Sequence, residues 1–137
     1  MVLRAANKPA GTLDLHTDLR SAKVQELRET PFAALHVWDT SAHLQVRLKA
    51  RVEILTGQDV AMIWAGVPEA SRLAYGTSPA PGQPIADALA YTKGPDPAFF
   101  AVLRLNVSSI DALHLGPNHR RARFDRLDGW TGVWLTP

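Results

Sequence analysis

The chain contains no cysteine. That removes disulfides and thiolate-held metals, and it makes a reducing compartment, the cytoplasm, the expected setting. No apolar run approaches the ~20 residues that a membrane span requires, and the opening Met-Val-Leu-Arg-Ala-Ala carries no apolar core of signal-peptide length, so a soluble protein is expected. A Gly-x-Ser-x-Gly elbow and a glycine-rich phosphate loop are both missing, which leaves serine-hydrolase and nucleotide-hydrolysing chemistry without support. His16, His36, His43, His114 and His119 form no i, i+4 pair with a nearby carboxylate, and no metal site is expected. Charge of one sign is also scarce. Fifteen Lys and Arg stand against thirteen Asp and Glu, and the single basic run, His119 to Arg126, contains Asp125 and is followed by Asp128. Nucleic-acid binding by a broad cationic surface is therefore not expected, whereas a local anion site is.

What is present fits one domain. A chain of 137 residues buries roughly 65–70% of its unfolded surface on folding. Residues 42–55 alternate without interruption: Leu44, Val46, Leu48, Ala50, Val52 and Ile54 on one face, His43, Gln45, Arg47, Lys49, Arg51 and Glu53 on the other. That is the pattern of a long antiparallel strand with one buried face, bending around a barrel. Residues 32–38 read as its hairpin partner across the turn 39–42. Further strands are expected at 98–107 and 109–115, then at 121–127 and 130–135 with an Asp-Gly turn at 128–129. Helices are expected after Thr17 or Asp18 as N-cap, ending at Pro31, and over 58–65 and 68–75. The Pro- and Gly-rich stretch 76–84 reads as a loop. Strands dominate and no strand–helix–strand rhythm occurs, so the pattern predicts a mainly β fold, a β-barrel with peripheral helices. Trp38, Trp64, Trp130 and Trp134 read as core or interface aromatics.

The segment "LHTDLRSAKVQELRETP", residues 15–31, places Thr17, Arg20, Ser21 and Lys23 where a strand hands over to a helix. Unpaired amides and the positive end of the helix macrodipole, joined by two hydroxyls and two cations, make a phosphate cradle. The same residues also suit plain capping and a solvated lysine.

Five stretches, "VLRAA" at 2–6, "HTDLRSAKVQEL" at 16–27, "QVRLKARVEIL" at 45–55, "PEASRLAYGTS" at 68–78 and "HRRARF" at 119–124, follow in order the pattern of the pyridoxamine 5'-phosphate oxidase-like FMN-binding split-barrel proteins. The resemblance covers nearly the whole of residues 1–137. It implies a single FMN-binding domain with a six-stranded antiparallel split barrel, a homodimer, and FMN in clefts at the subunit interface. It further implies that Arg4 lines the flavin site, that His16 and Thr17 touch the flavin, and that Ser21 and Lys23 grip the phosphate. Arg20 would stand in for an arginine that is Ala22 here. Gln45 would reach the flavin from the partner subunit, and Arg123 would lie near its ring. Members of the family usually carry a helix and most of a strand ahead of the stretch matched by residues 2–6, so the resemblance implies either a trimmed sheet or a partial sequence.

The likeness weakens where the family's enzymes bind vitamin B6 phosphate. A tyrosine, an arginine and a serine there correspond to Ile63, Val67 and Ser71. An arginine and a histidine correspond in swapped order to His119 and Arg121, a tryptophan to Leu113, and a Gln-Ser pair to Ala80 and Pro81. The resemblance therefore implies an FMN-dependent oxidoreductase that does not act on pyridoxine phosphate itself, with Ser71, His119 and Arg121 as candidate substrate residues and no assigned catalytic base. The alternative is a stress-related dimer that binds a flavin or another anionic cofactor without catalysis.

Overall fold

The computed structural model describes residues 1–137. Seven antiparallel strands form one sheet: β1 (Leu3–Asn7), β2 (Thr12–Asp18), β3 (Phe32–Asp39), β4 (Leu44–Thr56), β5 (Phe100–His114), β6 (Arg120–Asp125) and β7 (Gly132–Leu135). The order β1-β2-β5-β4-β3 makes the barrel, with β6 and β7 added alongside β5. The fold is thus mainly β, an antiparallel split barrel with few helices, and it carries seven strands where six are expected. The barrel is open: β1 and β3 are edges that do not pair with one another.

The expected break between residues 107 and 109 is absent, and β5 runs unbroken through it. β5 pairs with β4 along its whole length, with β2 over its first half and with β6 over its second. Its Ser108 is one extra residue between the pairs Ala50–Val107 and Lys49–Ser109. The Ser108 hydroxyl donates to the Lys49 carbonyl at 3.0 Å, so the polar residue that looks like a strand end is a bulge within one strand.

Side-chain alternation along β5 divides the core into two layers. Leu103 and Leu105 join Leu15, Ala50 and Val52 under α1 (Ala22–Glu29), whose Val24 is fully buried. Phe100 and Val102 face the other way, against Val60, Val67 and Tyr75. That second layer is held by a short 3-10 turn (Gly57–Val60) leading into α2 (Ala61–Gly66), and by the single helical turn α3 (Glu69–Arg72). The expected helix over 68–75 is cut to those four residues. Arg72 fixes the connection by donating to the Val67 and Ala65 carbonyls, both at 2.8 Å.

At the far end of β5 the sheet has no helix on it. Across β3, β4, β5, β6 and β7 the register aligns Val37, Val46, Ala112, Ala122 and Trp134 on an apolar face. His36, Arg47, Asp111, Arg123 and Val133 align on the opposite face, with Gln45 and Arg121 beside them. Trp134 is 76% exposed. The 137-residue chain exposes 9050 Å², against about 7000 Å² for a compact 15 kDa monomer. No helix is long and apolar enough to cross a membrane.

Candidate functional site

Strand β2 ends in Thr17 and Asp18, both buried, and the chain turns at once into α1. The helix begins later than expected, with Ser21 at its N-cap and no side-chain cap bond. The Ser21 amide donates to the Asp18 carbonyl, whereas those of Ala22 and Lys23, in the first turn, have no intrahelical acceptor. The Ser21 hydroxyl is free to meet that of Thr17 at 3.2 Å, and Lys23 Nζ donates to the same Thr17 oxygen at 3.4 Å. Thr17, Ser21 and Lys23 thus converge on one point at the head of the helix.

Asp18 lines the same cavity, and an uncompensated carboxylate there would repel an anion. Its charge is answered locally. Arg20 donates from its amide (2.9 Å), its Nε (3.0 Å) and its Nη2 (2.8 Å) to the Asp18 carboxylate. Burial alone would raise the Asp18 carboxyl, but the hydrogen bonds from Arg20 outweigh it and hold the group below its ordinary value. Arg20 also donates to the Thr77 carbonyl at 2.9 Å and lies 3.7 Å over the Phe99 ring. Its guanidinium is committed to protein partners and does not line the cavity.

Arg4 arrives by a different device. β1 and β2 pair as Leu3–Leu15 and Ala5–Asp14, which leaves Arg4 as the extra residue of a β-bulge. Bulges re-aim side chains next to sites, and here Arg4 reaches the cavity floor beside His16. It makes no hydrogen bond or ion pair in the chain. His16 packs edge-on against Phe100, with ring centroids 5.0 Å apart. Burial, aided by the Arg4 charge, lowers its pKa below the ordinary histidine value, so the imidazole is neutral at pH 7.

The resulting cavity, ≈ 320 Å³, has Arg4, His16, Thr17, Ser21 and Lys23 on one side and Tyr75 and Pro81 on the other. Sequence reading reaches Pro81 only through the family's Gln-Ser pair and gives Tyr75 no role. No local pattern marks them, since the loop that carries them is brought back by the pairing of Ser78 with Thr92 and by the Asp96 amide on the Tyr75 carbonyl. Two anion-compatible cations, a hydroxyl pair and a helix N-terminus suit a phosphate dianion.

Gln45, Arg121 and Arg123 are elsewhere. Gln45 pairs with Leu113 and His16 with Val102, eleven residues apart on β5, roughly 35 Å of strand at ~3.3 Å per residue. Arg121 clasps Asp111, at 2.7 Å to the nearer oxygen, and Arg123 binds Asp125 at 2.8 Å. Ser71 sits on α3 and exposed His119 just ahead of β6. One chain therefore brings Arg4, His16, Thr17, Ser21 and Lys23 together and holds Gln45, His119, Arg121 and Arg123 at the other end of the sheet.

Residues 2–56 match the family model described as pyridoxamine 5'-phosphate oxidase, FMN-binding domain. The stretch includes β1 to β4 and α1, and so every residue around the cavity except Met1 and those from the 74–81 loop. The chain is 27% identical over 135 positions to pyridoxine/pyridoxamine 5'-phosphate oxidase 2 of Arabidopsis thaliana, covering 88% of this chain and 67% of that protein. A pyridoxamine 5'-phosphate oxidase-related, FMN binding protein of Nostoc punctiforme superimposes with a TM-score of 0.83 at 26% identity, over 99% of this chain and 78% of the other. PhzG of Burkholderia lata, solved with tetrahydrophenazine-1-carboxylic acid, shares the fold at a TM-score of 0.75 and 19% identity, over 98% and 72% of the two chains. The chain is thus similar to the pyridoxamine 5'-phosphate oxidase-type FMN-binding proteins, in the sequence of residues 2–56 and in its fold.

Proposed function

We propose that the protein binds FMN with its phosphate in the Thr17–Ser21–Lys23 cradle and works as an FMN-dependent oxidoreductase. The observation that carries this reading is the convergence of two hydroxyls, Lys23, Arg4 and the first amides of α1 on one cavity, in the segment that matches the FMN-binding domain model. Bound there, the flavin would supply hydride or electron transfer. Lys23 and Arg4 would neutralise the phosphate, Ser21 and Thr17 would donate to its oxygens, and neutral His16 would pack beside the ring system without adding charge.

The working unit of the proposal is a homodimer. The uncovered apolar face of β3–β7, the exposed Trp134 and the excess of about 2000 Å² over a compact monomer all favour a second copy on that face. Gln45 and Arg123 stand too far along the sheet to reach their own chain's cavity, so in this proposal any flavin contact they make is with a partner's site. Pyridoxine phosphate is not the proposed substrate, because Ile63 and Val67 offer no donor to a second phosphate.

Titration of FMN into the apo-protein, followed by flavin fluorescence, tests the reading. Saturable binding is expected at one FMN per chain, and Lys23→Ala should weaken it about 10- to 70-fold, the loss of one charge-assisted contact of roughly 1.5–2.5 kcal/mol. A protein that neither binds FMN nor responds to Lys23→Ala refutes it. Slow bleaching of the bound flavin by pyridoxine phosphate, against rapid bleaching by a reduced nicotinamide or another donor, is the expected activity profile.

A further inference from the structure

Tyr75 stands across the cradle cavity from Thr17, Ser21 and Lys23. The residue is 6% exposed, and both its backbone and its ring are fixed. Its amide donates to the Arg72 carbonyl at 2.9 Å, and its carbonyl accepts from the Asp96 amide at 2.8 Å. Its ring packs edge-on against Phe100, with centroids 5.1 Å apart, and against Trp64 at 6.2 Å. The hydroxyl alone has no partner within the chain. Every side-chain oxygen and nitrogen sealed from solvent is hydrogen-bonded, so the Tyr75 oxygen is open, and the space that this residue borders is the cradle cavity. The hydroxyl of a largely buried tyrosine ordinarily finds a partner. Here the protein leaves that partner to a ligand.

We infer that the Tyr75 hydroxyl is a further phosphate-binding group, which donates to the ligand's phosphate from the side opposite α1. A phosphate monoester carries three terminal oxygens, all strong acceptors. Thr17, Ser21, Lys23 and the first amides of α1 approach that group from the helix side, and a donor across the cavity completes its surroundings. A phenol suits the place for two reasons. Its O–H donates without adding charge, and its ring is clamped before any ligand arrives, so little conformational freedom is lost when the bond forms. Asp18, the carboxylate on this cavity, is engaged by Arg20 and makes no bond to Tyr75. The inference rests on the proposed reading only in putting a phosphate in the cradle, and it holds for any phosphate monoester.

Tyr75→Phe removes the oxygen and keeps the ring contacts with Phe100 and Trp64, and four measurements on this variant test the inference. FMN titration, followed by flavin fluorescence, should give binding about tenfold weaker than that of the wild type. Binding of inorganic phosphate, followed by phosphorus NMR, should weaken by a similar factor, because the contact is to the phosphate group itself. The ligand-free variant should melt within about 2 °C of the wild type, since no bond inside the chain is lost. The dependence of FMN affinity on salt should keep its slope, because the donor removed is neutral. Unchanged FMN affinity, unchanged phosphate affinity, no binding of inorganic phosphate to the wild type, a melting point lowered beyond that margin, or a flattened salt slope each overturn the inference. Tyr75-sensitive phosphate binding in a protein that does not bind FMN refutes the flavin reading and leaves this one standing. FMN binding that ignores Tyr75→Phe does the reverse.

Discussion

Asp18 and Arg20 lie two residues apart in a tight turn, and their pairing decides what the cradle presents. The Asp18 side chain is only 4% exposed, and its carboxyl is held below its ordinary value because Arg20 outweighs burial. Asp18→Asn should cost roughly 2–4 kcal/mol at pH 7, a little below the ~3–5 kcal/mol for breaking a fully buried pair because Arg20 is 26% exposed. The pH dependence has a fixed sign. A carboxyl whose folded pKa is depressed stabilises fully above its unfolded pKa and loses that contribution as pH falls through the folded value. Urea melts of the two proteins should therefore differ at pH 7 and pH 5 and converge below about pH 3.8. From the sequence, Arg20 is a cation beside a phosphate cradle; in the structure its donors are spent on Asp18 and Thr77. Charge is legible in a sequence and partnership is not. Arg20→Gln should accordingly lower stability through Asp18 and weaken FMN binding by leaving that carboxylate unanswered at the cavity, and Lys23→Ala should flatten the salt dependence of FMN binding by removing a cation.

The elements were legible where periodicity is strong. The alternation of residues 44–54 gives β4 within a residue or two of its observed Leu44–Thr56, and Phe32–Asp39 follows as its hairpin partner. What escaped is what pairing alone defines. Neither bulge can be read from one strand, because a bulge exists only as a count against a neighbour, and so β5 looks like two strands and Arg4 like an ordinary strand residue. The start of α1 is displaced because Asp18, a good capping residue, is engaged by Arg20 instead. Helix α1 is held mainly by Val24, fully buried against Leu15 and Leu103, and Val24→Ala should cost about 2 kcal/mol from lost burial and the cavity left behind. Gly76 has φ +134° and lies against the Gly94 carbonyl. Gly76→Ala should displace the loop that carries Pro81 over the cradle, and faster proteolysis within residues 77–93 is the expected readout.

At the scale of the molecule, sequence alternation shows which side of each strand is apolar but not whether anything covers it. The face bearing Val37, Val46, Ala112 and Trp134 looks like core in the sequence and is open in the chain. Sedimentation equilibrium should give a dimer at micromolar concentration. Trp134→Lys should shift the protein to monomer without lowering the monomer's own stability, because a side chain that is 76% exposed leaves no cavity behind. In the proposed dimer that monomer should also bind FMN more weakly, having lost the contacts of its partner.

The length of β5 has a genetic consequence. Because Lys23 and Gln45 belong to opposite ends of the sheet, a dimer built on the proposed plan draws each flavin site from two copies. Lys23→Ala and Gln45→Ala proteins should each be impaired alone. Mixed one-to-one, unfolded and refolded together, they should form hybrids in which one cleft carries both lesions and the other carries none, so that binding returns at half an equivalent per chain in the hybrid fraction.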